Sequence, residues 1–365
     1  MTDVLRVAIL CSADSYRGSA VSFLHIAQGL AARGVSVQMF AGHPSVIDPL
    51  RRFGVDIVEL DLRSTSVGTA RRARAALRAF GADVLMVDRP RDLRLGFLAT
   101  LGSRVALVNR YNAHAATPPN DILLRTAYGL KVAETIFLTQ ERAARILPQA
   151  PWIRARPHRV IPEGISMAEF YPDVAGAAAF RARHGLGDAP FVLSVGAFTK
   201  EKRTALLIEA MQRVPDAPQL VLCGEGPLAE SLQREAETRG VRTLILSRVV
   251  REELRGMYSA ATLFAHACPV ETFGLSVLEA MACGAPVVGV RGGGLIEVVG
   301  TDDSAGLLVA PEDAAALAEG VRRVLHDGAL AAGFRERGRS RAQRFTLDAM
   351  ADAYFAALSS VALRA

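Results

Sequence analysis

Glu271 and Glu279 are two carboxylates separated by seven residues, a spacing that suits a ligand with hydroxyl groups on both sides of a diphosphate. Eight residues of helix rise about 12 Å, which is comparable to the distance from a sugar to a ribose across the two phosphates. Each carboxylate can accept hydrogen bonds from hydroxyl groups. An ordinary capped helix with a surface Glu279 explains the same spacing, so the spacing alone leaves both interpretations open.

The backbone between these glutamates adds a feature that suits phosphate. The segment follows an apolar run and opens a helix that is predicted over Phe273–Cys283. Since the first N–H groups of a helix have no intrahelical partner, free donors are expected at Phe273, Gly274 and Leu275. The glycine also lets the backbone come close to a ligand. The predicted chemistry is diphosphate binding between two carboxylates.

Alternating strands and helices are predicted to position these groups. In the first half the predicted strands are Arg6–Leu10, Val35–Phe40, Asp56–Glu59, Val84–Val87, Val105–Val108 and Thr135–Phe137. Apolar residues recur near helical spacing over Ser19–Arg33, and Gly34 ends that helix. This alternation predicts parallel βαβ units.

The same alternation restarts in the second half. The predicted strands there are Phe191–Val195, Gln219–Leu222, Thr243–Leu246, Thr262–His266 and Pro286–Val290. The predicted helices are Thr204–Val214, Leu228–Gly240, Arg251–Ala260 and Phe273–Cys283. The fold class expected is therefore α/β, with two Rossmann-like, doubly wound parallel-sheet domains.

The boundary between the two domains is predicted in the stretch rich in proline and glycine from Pro157 to Pro190. The expected domains are residues 1–165 and residues 166–345. The last helical stretch, Leu347–Leu363, has no strand after it. It either closes the second domain or packs back onto the first.

Composition limits the class of protein. The 365 residues suit two domains, and no apolar run reaches the roughly 18 residues of a membrane-spanning helix. The four cysteines form no Cys-x-x-Cys pair and sit in apolar or small-residue contexts, which fits a reducing compartment. The cytoplasm is the expected location.

The charge is uneven along the chain. Residues 1–160 carry 22 Lys and Arg against 12 Asp and Glu, whereas the remainder carries 21 against 25. A basic first half, with the basic helix Arg71–Arg78, suits an anionic membrane face or a phosphorylated acceptor. A solvated Arg-rich surface explains it equally well. No nucleic-acid-binding module is recognisable, so no nucleic-acid partner is expected.

The Glu271–Glu279 segment resembles the Glu-x7-Glu motif of retaining glycosyltransferases with the GT-B fold, specifically glycosyltransferase family four (glycosyl transferases group 1). Further matches in the family's order are Val160–Gly164, Ser194–Arg203, Cys223–Pro227, Gly292–Val299, Ala305–Val309 and Pro311–Asp313. The resemblance is dense over residues 157–356 and weak before them. It implies transfer of a sugar from a nucleotide-diphosphate sugar, UDP- or GDP-sugar, to a glycan, lipid-linked or small-molecule acceptor.

The resemblance also implies roles for individual residues. Lys202 would bind the donor diphosphate, Glu271 the donor sugar and Glu279 the ribose, while the loop around Val249 would border the base. The implied donor-binding set is Gly18, Ser19, Gly196, Lys202, Arg203, Gly224, Val249, Glu271, Phe273, Gly274, Leu275 and Glu279. The catalytic candidates are Glu271 and Lys202, which the resemblance implies, and His114, which lies near the place of a histidine that the family often carries.

Three departures from the family pattern stand out. Ala197 occupies the place of an arginine in the phosphate-binding turn, so that Lys202 and Arg203 must supply more of the charge. Glu163 occupies the place of an asparagine. A histidine at the end of a middle strand is absent; the nearby candidates are Arg89, Arg91, Arg110, Asn112 and His114.

The resemblance implies no cofactor, and independence from metal is expected because no Asp-x-Asp motif is evident. No strong general base stands out, so the leaving phosphate is expected to take the acceptor proton. Synthesis of lipopolysaccharide core or related cell-surface polysaccharide is the expected setting. The rival interpretations are a sugar-nucleotide epimerase or glycosyl phosphorylase on a similar fold, and a non-catalytic nucleotide-sugar-binding protein. A dehydrogenase is disfavoured because no Gly-x-Gly-x-x-Gly follows the first strand.

Overall fold

The chain folds into two compact α/β units. The computed structural model describes residues 4–16, 18–112, 118, 120–247, 249–302 and 304–364. The first unit comprises Met1–Gly164 with Leu347–Ala365, and the second comprises Ile165–Thr346. Each is a parallel sheet with helices, which confirms the predicted fold class.

The sheet of the first unit has seven strands within the described ranges, in the order β3-β2-β1-β4-β5-β6-β7. Their bounds are β1 Arg6–Cys11, β2 Ser36–Ala41, β3 Asp56–Glu59, β4 Val84–Val87, β5 Ala106–Tyr111, β6 Val132–Phe137 and β7 His158–Val160. Strand β4 is buried along its whole length, as expected for a parallel strand covered on both faces. The sequence missed β7 because it is only three residues long and two of them are polar.

The helices of the first unit alternate with these strands. They are α1 Ser19–Ala31, α2 Pro44–Arg52, α3 Val67–Phe80, α4 Pro90–Thr100, α5 Ile122–Leu130, α6 Gln140–Ile146 and α7 Pro151–Arg154. The basic helix predicted over Arg71–Arg78 lies within α3. Arg74 turns inward there and donates to the carbonyl oxygens of three residues, Leu98, Ala99 and Leu101.

The sheet of the second unit has six parallel strands in the part of the chain that the structure describes, in the order β10-β9-β8-β11-β12-β13. Their bounds are β8 Phe191–Val195, β9 Gln219–Cys223, β10 Thr243–Leu246, β11 Leu263–His266, β12 Val287–Val290 and β13 Leu307–Val309. The chain reverses direction across the sheet between β8 and β11. Ligands of open α/β sheets bind at such a point, beyond the carboxyl ends of the strands.

The helices of the second unit cover both faces of its sheet. They are α8 Val174–Arg183, α9 Thr204–Gln212, α10 Ala229–Thr238, α11 Arg251–Ala260, α12 Leu275–Ala282, α13 Leu295–Val299, α14 Ala314–His326 and α15 Gly328–Ala342. A single 3-10 turn, Lys200–Lys202, precedes α9.

The last helix, α16 Leu347–Ala362, packs against α1 of the first unit. Gly29 allows the close approach, since a Cβ there would lie 2.4 Å from the Cβ of Ala351. Arg33 holds the same helix through an ion pair of 2.7 Å with Asp352. The sequence left open whether the last helix closes the second domain or packs back onto the first, and the structure shows that it packs onto the first.

Two further features concern the class of protein. Among the helices of the described residues, none has both the length and the apolar character needed to cross a membrane. Cys11, Cys223, Cys268 and Cys283 are free thiols, and all four are buried.

Candidate functional site

Helix α12 begins at Leu275, two residues later than the sequence predicts. Gly274 has a φ of 102°, in the left-handed region, so it ends the loop rather than continuing the helix. Glu279 is therefore the fifth residue of the helix, little more than one turn from its start, and not the seventh as the predicted helix Phe273–Cys283 had it. The free N–H groups of the first turn belong to Leu275 and the residues that follow.

Lys202 and His266 both bind the Oε2 atom of Glu271. The Nζ atom of Lys202 lies 2.6 Å from it and the Nε2 atom of His266 lies 3.0 Å from it. Glu271 and His266 are buried, and 27% of the Lys202 side chain is exposed. We call these three residues the Lys202–Glu271 cluster. It joins residues that are 69 positions apart in the chain.

The position of the Lys202–Glu271 cluster follows from the topology of the sheet. Lys202 comes from the connection after β8, His266 ends β11, and Glu271 lies between β11 and α12. Since β8 and β11 are neighbours, their carboxyl ends bring the connections together at the reversal point. The cluster therefore lies where this class of sheet binds ligands.

The surroundings keep the Glu271 carboxylate ionised. Burial opposes its charge, but the hydrogen bond from His266 and the charge of Lys202 outweigh burial and hold the pKa of Glu271 well below its usual range. The partner charge in turn raises the pKa of Lys202, although burial opposes its charge too. Both groups are therefore charged at neutral pH.

The turns around Lys202 are closely packed. Gly196 lies beside the Lys202 side chain, whose Cδ atom would be 3.9 Å from a Cβ on that glycine. A Cβ on Gly224 would lie only 1.9 Å from the carbonyl oxygen of Gly196, so the second turn requires glycine at that position. Arg203 makes an exposed ion pair of 2.9 Å with Glu312.

Glu279 has a different environment from Glu271. Its Oε2 atom accepts a hydrogen bond of 2.7 Å from the hydroxyl of Tyr258, which is buried on α11. Burial raises the pKa of Glu279 to about 7, and the hydrogen bond from Tyr258 lowers it only in part. One carboxylate of the pair is thus firmly ionised, whereas the other titrates near neutral pH.

Three other predicted donor-site residues lie in the same unit. Phe273 is buried and its ring packs edge-on against Phe345, 5.6 Å between centroids, so its side chain belongs to the core. Leu275 and Val249 are partly buried against the same core. Arg248, which precedes Val249 in the loop expected to border the base, lies outside the described residues.

The predicted residues of the first unit form a separate group. Gly18 caps α1 with a φ of 46°, and Ser19 is buried with its hydroxyl bonded to Asp88. Arg89 and Arg91 both donate to the carbonyl oxygen of Ser12. Asn112 bonds to Asp88, and His114 lies outside the described residues.

Arg110, one of the candidates near the place of the absent histidine, is not an accessible cation. It is fully buried and pairs with the buried Glu163, whose carboxylate also accepts hydrogen bonds from the hydroxyl of Ser22. The Nε atom of Arg110 donates to the Tyr354 hydroxyl of α16 at 3.1 Å. The departure at position 163 thus supplies the partner for a buried arginine.

His266 is the member of the Lys202–Glu271 cluster that sequence reasoning missed. The sequence indicates it only as the last residue of a predicted strand, Thr262–His266. A polar residue at the carboxyl end of an otherwise apolar strand, Leu263–His266, is the signal that could have singled it out.

Comparisons with known proteins find similarity to glycosyltransferases. Residues 177–341 match the family model described as glycosyl transferases group 1. A GDP-mannose-dependent alpha-(1-6)-phosphatidylinositol monomannoside mannosyltransferase of Mycolicibacterium smegmatis is 36% identical over 192 residues, 49% of this chain. The chain spans only half the length of that relative, 50%. A D-inositol 3-phosphate glycosyltransferase of Xylanimonas cellulosilytica is 27% identical over 92% of this chain and 91% of its own length.

The fold is shared along nearly the whole chain. The crystal structure of the Anabaena protein Alr3699/HepE in complex with UDP and glucose has a TM-score of 0.84 and 19% identity. The match covers 98% of this chain and 100% of the other. The expected GT-B fold is confirmed.

Proposed function

Because residues 177–341 match the model of the family glycosyl transferases group 1, we propose that this protein is a retaining glycosyltransferase that uses a nucleotide-diphosphate sugar. The observation that carries the proposal is the Lys202–Glu271 cluster, an ammonium and a carboxylate held at the reversal point of the second sheet. The ammonium suits a diphosphate, and the carboxylate suits the hydroxyl groups of a sugar.

The proposed reaction breaks the bond between the anomeric carbon and the diphosphate, and forms a bond to an acceptor oxygen on the same face of the sugar. Negative charge develops on the leaving diphosphate. Lys202 and the free N–H groups at the start of α12 stabilise that charge. Removal of one such hydrogen-bond donor typically lowers kcat on the order of 10²–10³-fold. The leaving phosphate takes the proton of the acceptor hydroxyl, so the reaction proceeds without a metal or cofactor.

The acceptor is proposed to be a glycan or a lipid-linked polyol that carries phosphate. Two observations support this. The first half of the chain carries an excess of ten positive charges, 22 against 12, and the names of two relatives include phosphatidylinositol monomannoside and inositol 3-phosphate. The exposed arginines of α3, Arg71, Arg72 and Arg78, suit peripheral contact with an anionic membrane at its cytoplasmic face.

A thermal-shift screen against UDP-, GDP-, ADP- and TDP-sugars tests the donor. We expect one nucleotide class to raise the melting temperature, because a ligand that binds only the folded state stabilises it by mass action. Lys202→Met should weaken that shift, whereas Lys200→Met on the same turn is the matched control. Stabilisation by no nucleotide sugar would contradict the proposal.

Release of the nucleoside diphosphate separates an enzyme from a non-catalytic binder, and NMR of the product anomer tests retention.

The raised pKa of Glu279 predicts a pH dependence of donor binding. Below its pKa of about 7 the group is neutral, and above it the group is a carboxylate that accepts stronger hydrogen bonds from ribose hydroxyls. The donor KM is therefore expected to fall about tenfold as the pH rises through 7. Glu279→Gln should flatten this change, and Tyr258→Phe should move it to higher pH. A KM that is independent of pH in the unmodified protein would argue against contact with the ribose.

A further inference from the structure

His266, Cys268 and Glu271 bring together three side chains of the types that bind soft divalent metal ions. An imidazole nitrogen, the thiol sulfur and a carboxylate oxygen lie within 4.8 Å of one another. All three residues are buried, and they fall within six positions of the chain, at the end of β11 and in the connection that follows. Cys268 has no role in the proposed transfer.

The distances between these atoms are close to those around a bound zinc ion. Tetrahedral zinc with bonds of about 2.0 Å to nitrogen and oxygen and about 2.3 Å to sulfur places its ligand atoms about 3.3–3.6 Å apart. The nitrogen of His266 already lies 3.0 Å from the Oε2 atom of Glu271. Since the ligand atoms lie within 4.8 Å of one another, the sulfur of Cys268 needs to approach the other two by at most about 1.5 Å, which a small change of its side-chain torsion supplies.

We propose that His266, Cys268 and Glu271 form a Zn²⁺ site that competes with Lys202 for the Glu271 carboxylate. The ammonium of Lys202 lies 2.6 Å from the Oε2 atom of that carboxylate. Since 27% of the Lys202 side chain is exposed, it can withdraw into solvent when the metal binds. The double charge of the ion then replaces the single charge of the ammonium.

The chemistry of the ligands selects the ion. A thiol and an imidazole favour zinc and its borderline neighbours, whereas magnesium prefers oxygen ligands alone. Three protein ligands with an open fourth position form the usual set of an accessible zinc site. Mg²⁺ is therefore the matched control ion, and Zn²⁺ or its spectroscopic substitute Co²⁺ is the probe.

The consequence for transfer is inhibition, and this part of the inference rests on the proposed function. A metal ion held by Glu271 removes the carboxylate expected to hold the donor sugar and displaces the lysine expected to hold the diphosphate. We expect Zn²⁺ to raise the donor KM with little change in kcat. Mg²⁺ at the same concentration should change neither value.

Metal binding is tested on the full chain without any donor. Titration with Co²⁺ is expected to give thiolate-to-cobalt charge-transfer absorption that saturates at one equivalent and is removed by Zn²⁺. Cys268→Ser should abolish this absorption, and His266→Gln should weaken binding on the order of tenfold or more. Cys283→Ser, another buried cysteine of the second unit, is the matched control and should retain it.

A second variant pair tests the competition with Lys202. Lys202→Met should tighten cobalt binding about five- to tenfold, because a competing ion pair worth about 1 kcal/mol is removed. Lys200→Met should leave the affinity unchanged. This pair removes no metal ligand, so it tests the site even if Cys268→Ser fails to fold.

The outcomes separate the site from the function. Absence of thiolate absorption, or absorption that survives in Cys268→Ser, would overturn the metal site whatever the transfer assay gives. Binding through Cys268 without any transfer activity would leave the site in place and remove the glycosyltransferase proposal. Unchanged affinity in Lys202→Met would show that the metal does not compete with the lysine, and would overturn the proposed mode of inhibition.

Discussion

Replacing Glu271 with Ala is expected to lower turnover on the order of 10³-fold, with little change in the melting temperature. The carboxylate is the shared partner of Lys202 and His266, so its removal takes away the group expected to hold the sugar and leaves Lys202 without its fixed position. Stability should change little because the Lys202 side chain, 27% exposed, can reach water when its partner is lost. The measurement is kcat with the nucleotide sugar that gives the largest thermal shift.

The matched control is Glu209→Ala, which removes a partly exposed glutamate of α9 in the same unit, paired with Arg213 at the end of that helix. This variant should keep both its turnover and its stability. Glu271→Gln separates hydrogen bonding from charge, since the amide can still accept a hydrogen bond but no longer holds the ammonium. Full activity of Glu271→Ala would remove Glu271 from the proposed site.

Replacing Glu163 with Ala is expected to destabilise the first unit by about 3–5 kcal/mol, the usual cost of leaving a buried charge unpaired. Arg110 is fully buried, and the carboxylates and the Tyr354 oxygen around it raise its pKa although burial opposes its charge. Arg110 therefore stays charged when Glu163 is removed, and it cannot avoid the cost of an unpaired buried charge by losing its proton. Its remaining acidic partner, Asp88, lies 3.7 Å away, beyond hydrogen-bond distance. A loss of this size is a large part of the stability of an ordinary domain.

The single tryptophan makes this loss measurable in a protein of two units. Trp152 lies on α7 of the first unit, so its fluorescence in a urea titration reports the unfolding of that unit. Glu59→Ala, which breaks an exposed ion pair with Arg51, is the matched control and should cost at most about 1 kcal/mol. An equal loss of unfolding free energy in Glu163→Ala and Glu59→Ala would show that Glu163 does not neutralise a buried charge.

A paired replacement distinguishes the charge from the packing. Replacing Arg110 by Met together with Glu163 by Leu should recover much of the stability lost in Glu163→Ala, because both charges leave the interior at once. Recovery would show that the cost comes from the unpaired charge. A double variant as unstable as the single one would place the cost in packing instead.

Much of the fold could be predicted from the sequence because its signals are local. A parallel strand covered by helices on both faces is a continuous apolar run, as in Val84–Val87, and each run is bounded by its own turn residues. The predicted bounds of this strand and of Phe191–Val195 agree with the structure. The short strand His158–Val160 was not predicted, because it forms by pairing with β6 and its own residues carry no strand pattern.

The start of α12 shows the limit of a local signal. Periodicity extends the helix back to Phe273, since that residue is apolar and fits the pattern. The ring of Phe273 is buried against Phe345 from outside the helix, and Gly274 adopts a left-handed conformation between the two segments. Packing at this point, rather than helical spacing, decides where the helix begins.

The sequence by itself determined the two-sheet architecture, the glutamate pair and the glycine that precedes α12. Each of these features depends on the pattern of residues that are close together in the chain. Only the tertiary structure decided which groups meet: Lys202 and His266 on Glu271, Tyr258 on Glu279, and Glu163 on Arg110. The physical reason is that the protonation state of a buried carboxyl group depends on burial and on the side chains that contact it from other strands and helices. Two glutamates that look alike in the sequence thus differ in the fold, one firmly ionised and the other titrating near neutral pH.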